Sequence, residues 1–245
     1  MRRHQLAQML GMGLIASAIG TALVLAIDWF PASASTQAKE IDRLFDVLLV
    51  VSVPIFVLVE VIVLFSVWKF RMRPGEELKD GPPIHGNTKL EVVWTTIPAL
   101  LLVGLCVYAY VVLTDIEKRK PGAMVVNVTG QQFAWSFQYP GANGGKAIQS
   151  EQLYLPAGRS VEFRVRSKDV IHDFWVPEFR MKIDAVPGKT TRYPVTTTST
   201  AADYPVVCAE LCGLGHATMR QTVHVVPPAE FESWMARKTK EAQST

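Results

Sequence analysis

Residues 206–226 read VVCAELCGLGHATMRQTVHVV. Two apolar, strand-like runs flank a loop that holds Cys208, Cys212, His216 and Met219. Soft thiolate and thioether ligands select copper and zinc, and imidazole suits both. Structural zinc usually pairs its cysteines with a second Cys or His pair. Here three residues separate the cysteines, only one histidine follows in the loop, and Met219 is a poor zinc ligand, so the set favours copper. A mononuclear blue-copper site needs one Cys, two His and a weak axial Met. The extra cysteine is therefore the informative residue. Two thiolates can bridge two coppers, each finished by one imidazole and one weak ligand. That arrangement needs a second histidine, and His172 and His224 are the ones at hand in this half of the chain.

Outward from the loop the pattern stays β-like back to Pro121-Gly122. VEFRVRS alternates Val161, Phe163 and Val165 with charged residues, the period of a half-buried strand. QQFAWSFQYP alternates Phe133, Trp135, Phe137 and Tyr139 and reads as an aromatic strand. Pro140-Gly141, Gly144-Gly145, Pro156-Ala157-Gly158 and Pro187-Gly188 punctuate the runs as turns. Several short strands at regular spacing predict a Greek-key β-sandwich or barrel. Phe231, Trp234 and Met235 share one face of a predicted C-terminal helix.

The first half is different. Three apolar runs, about residues 9–27, 44–68 and 92–113, are long enough to cross a bilayer, which takes roughly 20 residues. The first follows Arg2 and Arg3 and precedes Ala32-Ser33-Ala34, so it reads equally as a cleaved signal or a retained helix. Arg2, Arg3 and the loop bearing Lys69, Arg71, Arg73, Lys79 and Lys89 mark the cytoplasmic side, against an opposing vote from Lys118, Arg119 and Lys120. Trp29, Trp68 and Trp94 sit near segment ends as interfacial anchors. The expected architecture is a transmembrane α-helical hairpin (residues 35–120), preceded by a signal peptide or extra helix (1–34). An external all-β domain (121–228) and a helical tail (229–245) follow. A net charge of +3 gives no case for nucleic acid. Three cysteines build no disulfide framework, and lone Cys106 reads as a small buried hydrophobe.

Cys208-x3-Cys212-x3-His216-x2-Met219 resembles the binuclear CuA loop of cytochrome c oxidase subunit II. DVIHDFWVPEFRMKIDAVPG is similar to that family's segment with the other histidine ligand, which falls on His172; GQQFAWSFQYP resembles its aromatic strand and KLEVVWTTIPALLL the start of its second core membrane helix. The likeness runs from about residue 44 to about 235. It implies a cupredoxin-like external domain, with Cys208 and Cys212 bridging two coppers. His172 and Met219 would complete one metal, and His216 and the Glu210 carbonyl the other. The Glu210 side chain resembles the family's magnesium ligand at the boundary with subunit I. The implied role is the CuA subunit of a proton-pumping terminal oxidase in a bacterial plasma membrane, its β domain on the outer face. It would take electrons from cytochrome c or another donor and pass them to haem in subunit I, where oxygen is reduced to water. Other oxidase subunits are implied partners.

Glu91, at the start of the third apolar run, matches the family's glutamate at the mouth of a proton path; the bland reading is a helix-terminal acid favoured by the dipole. Glu60 lies inside the second run, where an acid is a candidate functional site and equally one that is neutral, snorkels or meets a partner helix. The family's electron-accepting Trp is replaced by Phe133, and only Trp135 of the pair remains; electrons would come in through Phe133 or another edge, and Trp135 is a candidate redox relay whose competing and favoured reading is core packing. His224 reads as a water-facing strand residue. Acidic and basic residues of the external domain nearly balance, so no acidic docking patch for a basic cytochrome c stands out, and no C-x-x-C-H motif supplies a fused haem. The alternative from another class is a membrane-tethered copper carrier or assembly protein, which would not need Glu91 or a partner-facing hairpin. A quinol oxidase subunit would lack the ligands, and a nitrous oxide reductase would need a longer chain.

Overall fold

The computed structural model describes residues 3–72, 74–75, 83, 85–141 and 145–244. Arg2, Arg73, Lys79 and Gly144 lie outside the described residues. Three helices come first: α1 (Arg3–Leu25), α2 (Thr36–Phe70) and α3 (Thr88–Ile116). All three are long and apolar enough to cross a membrane. At about 1.5 Å per residue α2 reaches about 52 Å, well beyond a hydrocarbon core. Small residues let α1 approach α2: a Cβ on Gly13 would meet Leu58, and one on Gly20 would meet Val53 and Val57. Between them Ser17 donates to the carbonyl of Pro54, the proline inside α2. Cys106 is exposed on α3, not buried as its apolar surroundings suggest, because the neighbours that make those surroundings are themselves on the exposed helix surface.

The β domain has ten strands: β1 (Met124–Gln131), β2 (Ala134–Tyr139), β3 (Ile148–Ser150), β4 (Leu153–Pro156), β5 (Ser160–Ser167), β6 (His172–Val176), β7 (Met181–Ala185), β8 (Thr191–Thr196), β9 (Ala202–Cys208) and β10 (Arg220–Val226). They form two five-stranded sheets, in the orders β3-β2-β1-β5-β8 and β4-β10-β9-β6-β7. The β1–β5 and β4–β10 pairs are parallel and the others antiparallel. Period-2 alternation sends Val126, Val128, Val161, Phe163 and Val165 of one sheet, and Phe174, Val176, Val206, Val223 and Val225 of the other, into one core. Phe174 is central to it: its ring lies 5.3 Å from Trp135 and 5.5 Å from Phe163.

QQFAWSFQYP is not one strand. Gln131 pairs with Ala134, so Gln132 and Phe133 form the two-residue turn between β1 and β2. The aromatic alternation carries through the turn, which hides it.

The chain divides into two compact units, residues 1–29 with 43–111, and residues 30–42 with 112–245. This differs from the boundaries at 34/35 and 120/121, because the segment before and into α2 is strapped to the β domain. Ala34 donates to the Glu178 carbonyl (2.8 Å) and accepts from Thr198 N (3.0 Å). Gln37 bonds Pro194 and Thr196 of β8. Arg180, at φ +53°, grips Asp42 through two nitrogens (2.7 and 3.0 Å), donates to the Pro31 carbonyl and lies over the Phe30 ring.

The tail forms α4 (Pro228–Gln243), with Phe231 and Trp234 buried and Met235 partly so. Trp234 packs on Tyr139 (5.0 Å) and Tyr154 (4.8 Å). The Tyr139 hydroxyl accepts from Tyr154 N and donates to Tyr154 O; burial pushes its phenol well above the usual range. Trp234→Ala is expected to cost about 3–5 kcal/mol. The check is the thermal unfolding of the β domain in the detergent-solubilised full chain. A loss below about 1 kcal/mol would make α4 a loose tail.

Candidate metal centre

Three loops converge on two sulfur atoms. The first runs from Cys208, the last residue of β9, to Met219 just before β10, and Cys208 N donates to the Met219 carbonyl (3.1 Å), closing its base. The second delivers His172, the first residue of β6, paired with Ala185 of β7 and fully buried. The third is the Gln132-Phe133 turn.

The sulfurs of Cys208 and Cys212 lie 3.9 Å apart, far beyond the roughly 2 Å of a disulfide. His172 Nδ1 is 3.9 Å from Cys208 Sγ, and His216 Nδ1 is 3.6 Å from Cys212 Sγ. Met219 Sδ is 3.8 Å from Cys212 Sγ, and the Glu210 carbonyl 3.3 Å from Cys208 Sγ. Ligand atoms of His172, Cys208 and Cys212 all fall within 4.8 Å of one another, a spacing that can hold a metal ion. Burial, and then the neighbouring Cys208, push the Cys212 thiol up to about 11. His216 is half-buried, and the Glu210 side chain is exposed. The six expected donors are thus brought together around the two sulfurs.

Around them are residues that the spacing of the ligands does not flag. Asp169 Oδ1 accepts from His172 Nε2 (2.9 Å), leaving Nδ1 for the sulfurs. Partial burial pushes the Asp169 carboxyl up, but hydrogen bonds from Gln132 N, His172, Val170 N and Ser167 outweigh it and hold it well below the usual carboxylate range. Gln132 Nε2 donates to the Cys212 carbonyl (2.6 Å). Gly130 leaves room for His172, since a Cβ there would sit 3.0 Å from its ring. Asp173, next to His172, is pushed up to about 7 by burial and then by its carboxyl contact with Asp184. Only an acid three residues before a histidine in DVIH offered a sequence signal for any of these.

Phe133 is 36% exposed, and its ring covers Gly213 and Gly215 of the cysteine loop. Trp135 is buried in the core, edge-on to His172 at 5.9 Å. His224 is half-buried, not water-facing: its Nδ1 meets Asp203 (2.7 Å) and its ring stacks on Tyr154 (4.6 Å). In the helical unit Glu91 helps cap α3, accepting from Asn87 N (3.0 Å) while Asn87 accepts from Leu90 N (3.2 Å). Glu60 lies on the exposed surface of α2.

Residues 22–112 match the profile of the cytochrome c oxidase subunit II transmembrane domain, and residues 146–226 that of its periplasmic domain. Cytochrome c oxidase subunit 2 of Thermostichus vulcanus is 34% identical over 269 residues, covering 88% of this chain and 79% of that protein. The chain belongs to the cytochrome c oxidase subunit II family. Its counterpart in Synechocystis is 29% identical over 272 residues, covering 89% of this chain and 80% of that protein. Among solved structures, the periplasmic domain of subunit II from Bradyrhizobium japonicum is 30% identical, covers 49% of this chain and 97% of that one, and aligns with a TM-score of 0.45. The two profiles fall on the apolar helices and on the β domain, a membrane part and an external domain. The His/Cys/Cys cluster of that domain is consistent with the family's copper.

A Cβ on Gly215 would overlap the Phe133 ring. Gly215→Ala is therefore expected to displace the cysteine loop and weaken copper retention at least several-fold. Adding Phe133→Ala should restore much of it, a positive coupling readable by a double-mutant cycle of copper affinity. Strict additivity would mean that the ring does not press on the loop.

Proposed function

We propose that this chain is the electron-accepting subunit of a proton-pumping terminal oxidase, holding a binuclear copper centre between Cys208 and Cys212. The observation that carries the reading is the donor set: two thiols 3.9 Å apart and unbonded, with two imidazole nitrogens, a thioether and a carbonyl at 3.3–3.9 Å from one or the other. A single tetrahedral ion would leave donors unused, whereas two ions bridged by both thiolates would use all six. Bound copper would supply a one-electron couple shared between two nuclei, with little change in bonding on reduction.

The chain's own residues do the rest. Cys208 and Cys212 would hold both coppers; His172 with Met219 would serve one metal, and His216 with the Glu210 carbonyl the other. The buried sulfur of Met219 and the aromatic packing of His172 exclude water from that side. Phe133, exposed and pressed on the loop, offers an apolar route inward for an electron from cytochrome c or another donor; Trp135 serves as packing. The electron leaves for haem in subunit I. The exposed Glu210 carboxylate would join that partner's residues on a magnesium ion. Glu91 would stand at the mouth of a proton path into subunit I, on the cytoplasmic side of a bacterial plasma membrane, with the β domain outside. Its bond to Asn87 fits both capping and proton exchange.

The full-length chain, purified in detergent and loaded with copper, should bind two coppers. Its EPR spectrum should show hyperfine structure from one electron shared equally by two nuclei. One copper with a single-nucleus pattern would turn the reading to a carrier or blue-copper protein. Glu91→Gln should slow turnover and proton uptake of the assembled oxidase while sparing that spectrum, since glutamine still caps a helix. Unchanged turnover and pumping would remove Glu91 from the proton path.

A further inference from the structure

We infer that Asp169 is a positioning residue for the copper centre: its carboxylate fixes the tautomer of His172 and lowers the reduction potential of the metals that this imidazole holds. The inference rests on the copper reading above. His172 is fully buried and turns Nδ1 toward Cys208 Sγ, so its remaining proton belongs on Nε2. A buried N–H without an acceptor is costly. Asp169 Oδ1 accepts it at 2.9 Å.

The carboxylate is itself held fast. Its Oδ1 also accepts from Val170 N (2.8 Å) and Ser167 Oγ (3.2 Å), and its Oδ2 from Gln132 N (2.7 Å). Three of these donors lie on its own turn, and Gln132 lies on the hairpin that in turn holds the cysteine loop through the Cys212 carbonyl. One anion therefore orients a ligand ring and ties together the three loops that build the centre. Such carboxylate–histidine couples raise ligand basicity and are worth 10–100-fold in metal affinity. A fixed negative charge behind the imidazole also favours the more positive, oxidised metal pair, which sets the sign of the potential shift.

The domain supplies its own control. Asp203 meets His224 Nδ1 at 2.7 Å in the same kind of couple, and neither residue belongs to the donor cluster. The test uses the full chain in detergent, loaded with copper, as wild type, Asp169→Asn, Asp169→Ala and Asp203→Asn. Asp169→Asn keeps an acceptor oxygen and loses the charge. It should retain two coppers and the shared-electron spectrum while its midpoint potential rises. Asp169→Ala should raise the potential and lower copper affinity roughly 10–100-fold. Asp203→Asn should leave both unchanged. An Asp169→Asn potential equal to wild type, with the shared-electron spectrum intact, would overturn the inference. If the Asp169 variants fail to fold, the wild type decides: the Nε2–H of His172 should give a hyperfine-shifted NMR signal protected from exchange, and a freely exchanging proton would overturn the inference. A wild type without the shared-electron spectrum would instead sink the copper reading, and this inference with it.

Discussion

The structure turns on two sulfur atoms that stand 3.9 Å apart without bonding. Thiols so close can drift together into a disulfide, or repel once ionised, unless the backbone fixes them. The fold fixes them from both ends of the loop. Cys208 ends β9, where it pairs with Phe174 of β6 and donates its N–H to the Met219 carbonyl. Cys212 is four residues further on, its carbonyl held by the Gln132 side chain. Because β6 also begins with His172, the strand that locks the first sulfur delivers the first imidazole. A site built on strand ends inherits their rigidity, which a loop alone could not provide.

The β domain also extends into sequence that precedes α2. Ala34, Ser35 and Ala38 are as buried as any core residue. They dock on the turn Pro177–Phe179 and on the residues after β8, where Ser35 Oγ donates to Phe179 O and Ser35 pairs with Thr197. Arg180 follows that turn and clamps Asp42 and Pro31. The same β6–β7 region that presents His172 therefore carries the strap on its far turn. A cut after Ala34 would part the clamp's two holds and remove the carbonyl that Thr198 uses.

The centre was legible because its chemistry is rare and local: four soft donors within twelve residues at fixed spacing. The strands were legible through period-2 burial, as at Val161, Phe163 and Val165. What was not legible depends on tertiary context. Phe133 sits at a turn because two hairpin residues preserve the alternation of Trp135, Phe137 and Tyr139, so periodicity cannot tell turn from strand there. The docking of residues 30–42 on the β domain does not show in their sequence, since their partners lie more than a hundred residues away. His224 looked solvated because alternation gives the face of a strand and not what α4 and Tyr154 place over that face.

His172 and His224 show how far residue type falls short of role. Each is on a strand and each faces an aspartate within 3 Å. His224 spends Nδ1 on Asp203 and stacks its ring on Tyr154, which stacks in turn on Trp234; its hydrogen bond closes a surface contact and its ring extends an aromatic column. His172 spends Nε2 on Asp169 and leaves Nδ1 facing sulfur. The difference is what faces the nitrogen that the carboxylate leaves: at His172 it is the sulfur of Cys208. The Asp–His pairing therefore leaves one buried imidazole nitrogen open beside a thiol, the arrangement that a shared metal ion would need.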